Sequence, residues 1–191
     1  MNEDLYPKVR RLRLLQSLLP GRFLARTHVT SRHNEAFFAC LQMIANFGSV
    51  GIRTDRVGGG DLLPFLYDCD DPARVAAFLR STKDRGLIWI VGEKVTASIN
   101  GKILRVGDHD AIIEWARCQS ARDVDAGTTP VTTIAVSTDR HAVWGHVILD
   151  CVHPLSLKHP LFTVYKWFLR TGAADLTWSV RDDNHQIIFW S

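Results

Sequence analysis

The sequence has no apolar run long enough to cross a bilayer; its longest, such as Thr133–Val136 and Val147–Leu149, are a few residues each. The N-terminal Met1-Asn2-Glu3-Asp4 is acidic and leads into no uninterrupted apolar segment, so a secretory signal is not expected and a cytoplasmic location is. No CxxC pair exists. The four cysteines, Cys40, Cys69, Cys118 and Cys151, lie far apart, which disfavours a zinc ribbon and predicts free thiols in a reducing compartment. Gly58-Gly59-Gly60 lacks the Lys-Ser/Thr that follows a phosphate loop, and reads as a flexible joint. Neither sign of charge dominates, the formal net charge being +3. No catalytic motif, metal or cofactor is implied.

What is present is the composition of a packed globular protein, 46% apolar and 23% charged over 191 residues, enough for one ordinary domain or two small ones. The charge is patterned. Residues 1–32 hold seven Lys/Arg against two acids, 33–71 two against six, 72–106 seven against two, and 107–191 seven against ten. Two basic blocks flanking an acidic one permit contact with phosphate backbones through counterion release.

Helical periodicity is expected over 4–19, with Leu5, Val9, Leu12 and Leu19 on one face and Lys8, Arg10, Arg11 and Arg13 opposite, and Pro20-Gly21 closing it. A second helix spans 34–47 and stops at Gly48, and Val50–Ile52 is a short strand. Asp61 caps a short helix to Tyr67. Asp70-Asp71-Pro72 places an N-cap acid before a first-turn proline, and Val75, Phe78, Leu79 and Thr82 follow at i, i+3, i+4 and i+7 up to Gly86. Then Leu87–Val91 and Lys94–Ser98 read as two strands joined at Gly92-Glu93. Asn100-Gly101 reads as a tight turn, and Asp108 as the cap of a helix to Arg117. Residues 118–130 lose periodicity and form a linker. Beyond them, strands 131–137 and 143–151, a helix 160–171 and a hairpin of 176–181 with 186–190 give the order ββαββ.

The stretches Asp71-Pro72-Ala73-Arg74-Val75-Ala76-Ala77-Phe78-Leu79-Arg80 and Lys83-Asp84-Arg85-Gly86-Leu87-Ile88 resemble the helix, turn and wing of the winged helix-turn-helix superfamily, over about residues 33–106. The resemblance implies an α+β protein: a helical winged-helix-like part at 1–117, including the leading amphipathic helix, a linker at 118–130, and a small α+β part at 131–191. It further implies a non-enzymatic DNA-binding regulator or accessory factor. Arg74, Arg80, Ser81, Lys83 and Arg85 would lie along the recognition helix, Lys94 on the wing and Lys102 nearby, with Arg10, Arg11 and Arg13 on the first helix. Double-stranded DNA is the expected partner, and the first helix or the final strand would pair two copies into a homodimer.

Two other readings stand beside this one. The acidic C-terminal half and the six tryptophans suit a protein-binding adaptor or inhibitor of a nucleic-acid-handling complex, because tryptophan is enriched at binding hot spots. Alternatively, His146, Asp150, Cys151 and His153 can be drawn as a hydrolase or nuclease site, although their spacing fits no defined motif.

Overall fold

The computed structural model describes residues 5–59, 63–83, 85–108, 110–118, 123–124, 126–137, 147–148 and 158–190. The chain divides into two compact units, one of residues 1–14 and 25–95, the other of residues 15–24 and 96–191. Among the described residues no helix is long and apolar enough to cross a membrane.

The first unit is built on a four-stranded antiparallel sheet of order β1-β4-β2-β3, formed by β1 (Thr27–Thr30), β2 (Val50–Asp55), β3 (Phe65–Cys69) and β4 (Ile88–Glu93). Helices α2 (His33–Phe47) and α3 (Pro72–Thr82) pack on one face of it. Their caps follow from sequence. Gly48 adopts a left-handed φ of 81° and donates its N–H to Ile44 at 2.8 Å, while Asp71 accepts from the Ala73 N–H at 2.8 Å with Pro72 at the first helical position. Ala36, Cys40, Val50, Ile52, Val75, Leu79, Trp89 and Val91 form the core beneath. The one polar atom of Trp89 is satisfied there, its indole N–H donating to Thr82 Oγ1 at 2.9 Å.

On the opposite face of the sheet lie Ile88 and Ile90, covered by Val9 and Leu12 of α1 (Pro7–Leu18). Tyr6, which precedes that helix, is not one of the short polar residues that usually cap a helix. The buried carboxylate of Asp55, at the end of β2, accepts the Lys8 N–H at 2.7 Å and the Val9 N–H at 3.0 Å. A buried anion on the first turn satisfies orphan donors and meets the positive end of the helix dipole.

The second unit is a six-stranded antiparallel sheet of order β10-β9-β5-β6-β7-β8, from β5 (Ile99–Arg105), β6 (Asp110–Arg117), β7 (Thr132–Ser137), β8 (Val147–Ile148), β9 (Asp175–Val180) and β10 (Ile187–Trp190). Its core faces helix α4 (Lys158–Thr171), whose Leu161, Val164, Tyr165 and Phe168 pack on Ile103, Ile113, Ile134, Leu176, Trp178 and Phe189 together with Leu15, Leu19 and Phe23. The other face carries a polar chain: Asn100 Nδ2 donates to the Cys118 carbonyl at 2.7 Å, Ser179 Oγ donates to Asn100 Oδ1 at 2.6 Å, and the Trp190 indole donates to Ser179 Oγ at 2.8 Å.

These observations correct the expected fold. No wing exists: β4 is a single strand through Gly92-Glu93, paired with β1 and β2, and residues 94–98 form no strand with it. Asn100-Gly101 lies within β5 and is not a turn: Asn100 and Gly101 pair with Ala116 and Trp115 of β6, the Asn100 side chain accepts from Ser179 of β9, and Gly101 admits the Trp178 ring, which lies where a side chain would stand. The expected helix 108–117 is strand β6: Ala111, Ile113 and Trp115 alternate inward, which is period 2 rather than 3.6. The segment expected as a helix to Tyr67 carries the edge strand β3. The ββαββ order is present, but its strands belong to a six-stranded sheet with β5 and β6 rather than to a small part of their own.

Gly101→Ala is expected to lower stability by about 1–3 kcal/mol through overpacking against the Glu114 carbonyl and the Trp178 ring. A urea midpoint equal to that of the natural sequence would contradict this close approach.

Candidate functional site

Side chains alternate across β2, so Val50, Ile52 and Thr54 enter one face of the first sheet while Gly51, Arg53 and Asp55 take the other. Register places Gly51 opposite Gly92 and Arg53 opposite both Ile90 and Phe65. Helix α1 covers Ile88 and Ile90. Beside it the face runs over the paired glycines, with Thr27 of β1 on one side and Phe65 and Tyr67 of β3 on the other. Only the Gly92 carbonyl, at 4.0 Å, comes near the point where a Gly51 Cβ would stand. Gly51 thus makes a low floor of backbone, while at Gly92 the Arg26 carbonyl and the Thr27 methyl each stand 3.6 Å from where a Cβ would be. The two aromatic rings lie 4.6 Å apart, and both residues are about half exposed.

Arg53 is the cation of this face. The residue is partly exposed, but burial of its guanidinium is strong enough to pull its pKa below the usual arginine range, against the opposing influence of Tyr67 and Asp55. A cation short of hydration gains more than a solvated one from an anion brought to it, and a guanidinium presents a planar fork of donors that matches phosphate or carboxylate oxygens. The chain leaving β2 closes through Gly58 and Gly59, both at φ 74°, with the Gly59 N–H donating to the Arg56 carbonyl at 2.9 Å and Arg56 Nε donating to the Gly59 carbonyl at 2.6 Å. As far as Gly59 the expected flexible joint is a hydrogen-bonded turn; Gly60 lies outside the described residues.

At the far end of this sheet Lys94 Nζ pairs with Asp68 Oδ2 at 2.6 Å, and Ser49 Oγ donates to Asp68 Oδ1 at 2.9 Å. The Lys94 hydrogen bond first, then that of Ser49, hold the Asp68 carboxyl below its ordinary range. The thiol of Cys40 is pushed up to about 12 by burial and then by neighbouring Cys69, which leaves it inert as a nucleophile.

The residues expected to read DNA do not gather on one surface of the first unit. Arg10 and Arg13 are exposed and Arg11 half-buried on α1, whereas Arg74, Arg80 and Ser81 are exposed on α3, which packs on the opposite face of the same sheet. Lys83 and Arg85 are exposed after α3, and Lys94 is engaged with Asp68. Lys102 belongs to the second unit, half-buried on β5 and 3.7 Å from Asp175. His146, Asp150, Cys151 and His153 lie outside the described residues. Among the described residues no group of three His, Cys, Asp or Glu side chains converges to hold a metal. Sequence reasoning passed over Arg53, Gly51, Gly92, Phe65 and Tyr67; the signal was a lone arginine inside the alternating run Val50-Gly51-Ile52-Arg53-Thr54.

No family model and no curated protein matches the sequence. Solved structures do match in fold. The D-alanyl-alanine synthetase A of Vibrio cholerae superposes with a TM-score of 0.58 at 10% identity, over 98% of this chain and 55% of that one. The D-alanine-D-alanine ligase of Coxiella burnetii gives 0.53 at 12%, over 95% and 45%. A RiPP-associated ATP-grasp ligase of Chryseobacterium gregarium, in complex with ADP and a leader and core peptide, gives 0.52 at 10%, over 94% and 49%. The chain therefore has the fold of ATP-grasp ligases and spans about half the length of these relatives. This overturns the winged-helix reading, and with it the non-enzymatic DNA-binding regulator that rested on it; nothing in the comparisons supports double-stranded DNA or a homodimer.

The Asp68 carboxyl is expected to titrate below its ordinary value of about 3.9 and to move up toward it in Lys94→Ala. Because its folded pKa is depressed, its contribution to stability is present above the ordinary carboxylate range and is lost as pH falls through the folded value. Carboxyl-carbon NMR titration checks this; an unmoved Asp68 in the variant would refute the assigned cause.

Proposed function

We propose that this chain is the nucleotide-binding part of an ATP-grasp-type ligase, and that an adenine nucleotide lies on the glycine floor of the first unit with its phosphates at Arg53. The observation that carries this reading is the guanidinium of Arg53, partly stripped of water beside an open backbone floor, in a chain that superposes almost end to end on ligases. The ADP in the Chryseobacterium structure supports the ligand class. Arg53 would supply a charge-assisted, bidentate contact to phosphate oxygen, and its low hydration makes that contact stronger than one from a surface lysine. The neighbouring, mutually tilted rings of Phe65 and Tyr67 offer an apolar wall for a planar base. Nucleotide phosphates commonly carry Mg2+ through their own oxygens and waters. The described residues supply no cluster of three or more His, Cys, Asp or Glu side chains for it.

A peptide is the second ligand of this proposal. It is supported by the leader and core peptide bound to the Chryseobacterium enzyme, and it keeps the protein-binding alternative within the ligase reading.

Isothermal titration with ADP is expected to give saturable binding that falls about tenfold or more in Arg53→Ala, a loss of about 1.4 kcal/mol or more. Arg53→Lys should keep part of the affinity, because the charge remains while the fork is lost. No heat from ADP or ATP with the natural sequence, or full affinity in Arg53→Ala, would defeat the proposal.

A further inference from the structure

Helix α4 turns Leu161, Val164, Tyr165 and Phe168 inward, which leaves Lys166 and Arg170 exposed and Trp167 half-exposed on the outer side. Within the same unit, the 3-10 turn Gly21–Phe23 brings Phe23 against that side, its ring 5.1 Å from the Trp167 ring. Each ring of this aromatic pair carries a guanidinium: Arg22 stands 5.0 Å over the Phe23 ring and Arg170 stands 4.6 Å over the Trp167 ring. The result is a row of cation, ring, ring and cation, with Lys166 one turn from Arg170.

Two features together define this row. Neither α4 nor the segment Leu15–Leu24 contains a single Asp or Glu, and among the described residues no carboxylate pairs with Arg22, Lys166 or Arg170. Some exposed cations elsewhere do have such partners, Arg32 with Glu35 at 2.8 Å and Lys94 with Asp68 at 2.6 Å. A guanidinium over a ring is also held in place by cation–π attraction, and its N–H groups remain able to donate. Ordering entropy that a free arginine would lose on binding is already spent.

We infer that this row docks an acidic peptide segment, two carboxylates bracketing one or more apolar side chains, each carboxylate taken by one stacked arginine and the apolar residues by the Trp167 edge. The three ring and cation spacings put the guanidiniums no more than about 15 Å apart, the reach of four or five extended residues. Single-stranded nucleic acid fits less well, because the ring faces on which bases would stack are capped by the arginines themselves. The docking surface stands apart from nucleotide binding, depending on neither Arg53 nor ADP.

The test is fluorescence anisotropy on the full chain with a fluorescein-labelled peptide in which two glutamates bracket three leucines between glycine-serine flanks. Expected are saturable binding that weakens with salt, about tenfold or greater loss in the Arg22→Ala, Arg170→Ala double variant, and partial retention in Arg22→Lys, Arg170→Lys. The glutamine version of the peptide should not bind. ADP titration of the double variant should match the natural sequence, so that failure here and failure of the nucleotide reading are separable, and an unchanged melting curve shows that the variant folds. Absent binding by the natural chain, equal binding of the glutamine peptide, or equal binding by the double alanine variant would overturn the proposal. So would tighter binding of oligothymidine or of phosphatidylserine vesicles to the same arginines.

Discussion

One strand must serve two environments, and the first unit depends on its doing so. β2 sends Val50, Ile52 and Thr54 into the core under α2 and α3, and Gly51, Arg53 and Asp55 to the face that α1 partly covers. Six consecutive residue pairs with β4 fix that alternation. A slip of one residue would drive Arg53 into a core of Val75, Leu79 and Val91 and take Asp55 from the first turn of α1. The desolvation cost of an unpaired guanidinium in such a core is several kcal/mol, so the register is strongly specified. The helix cap, the glycine floor and the enclosed cation are thus consequences of a single pairing.

The second unit meets the same demand with different residues. Its sheet buries Ile103, Ile113, Leu176 and Trp178 toward α4, and on the reverse face satisfies every polar group of the Asn100, Ser179 and Trp190 chain. Such a chain is stable only when complete, since an orphaned member costs more than the bond it replaces gains. Gly101 marks where the sheet had to leave a side chain out so that the Trp178 ring could lie flat. The six tryptophans are therefore of more than one kind: Trp89 and Trp178 fill cores, while Trp167 sits half-exposed beneath Arg170.

Helices were more legible in the sequence than sheets. Those expected at 4–19, 34–47, 72–85 and 160–171 are α1, α2, α3 and α4, because their signals are local: a period near 3.6, Asp71-Pro72 at one start, Gly48 at one end. The final hairpin was legible for the same reason, its strands being adjacent in sequence. Failure came where pairing was long-range. Leu87–Val91 was read as a hairpin with Lys94–Ser98 and Asn100-Gly101 as a turn, yet Ile88–Glu93 pairs with residues 27–30 and 50–55 and Ile99–Arg105 with residues 110–117 and 175–180. Nothing local in Ile-Trp-Ile-Val reveals such partners. The site was missed for a related reason. Gly51, Arg53, Tyr67 and Gly92 are ordinary apart from one another, and only the register β3-β2-β4 assembles them.

A fold shared at 10–12% identity, over about half the length of the matched structures, carries architecture, whereas chemistry resides in the site. The central claim is that the glycine floor beside Arg53 is where this chain meets a nucleotide. The most direct measurement is amide chemical-shift mapping of the 15N-labelled chain as ADP is added. The account predicts saturating shifts at Gly51, Arg53, Tyr67 and Gly92, with the exposed face of α3 unmoved. Shifts confined to α3 or to the second unit, or no shifts at saturating ADP, would contradict it.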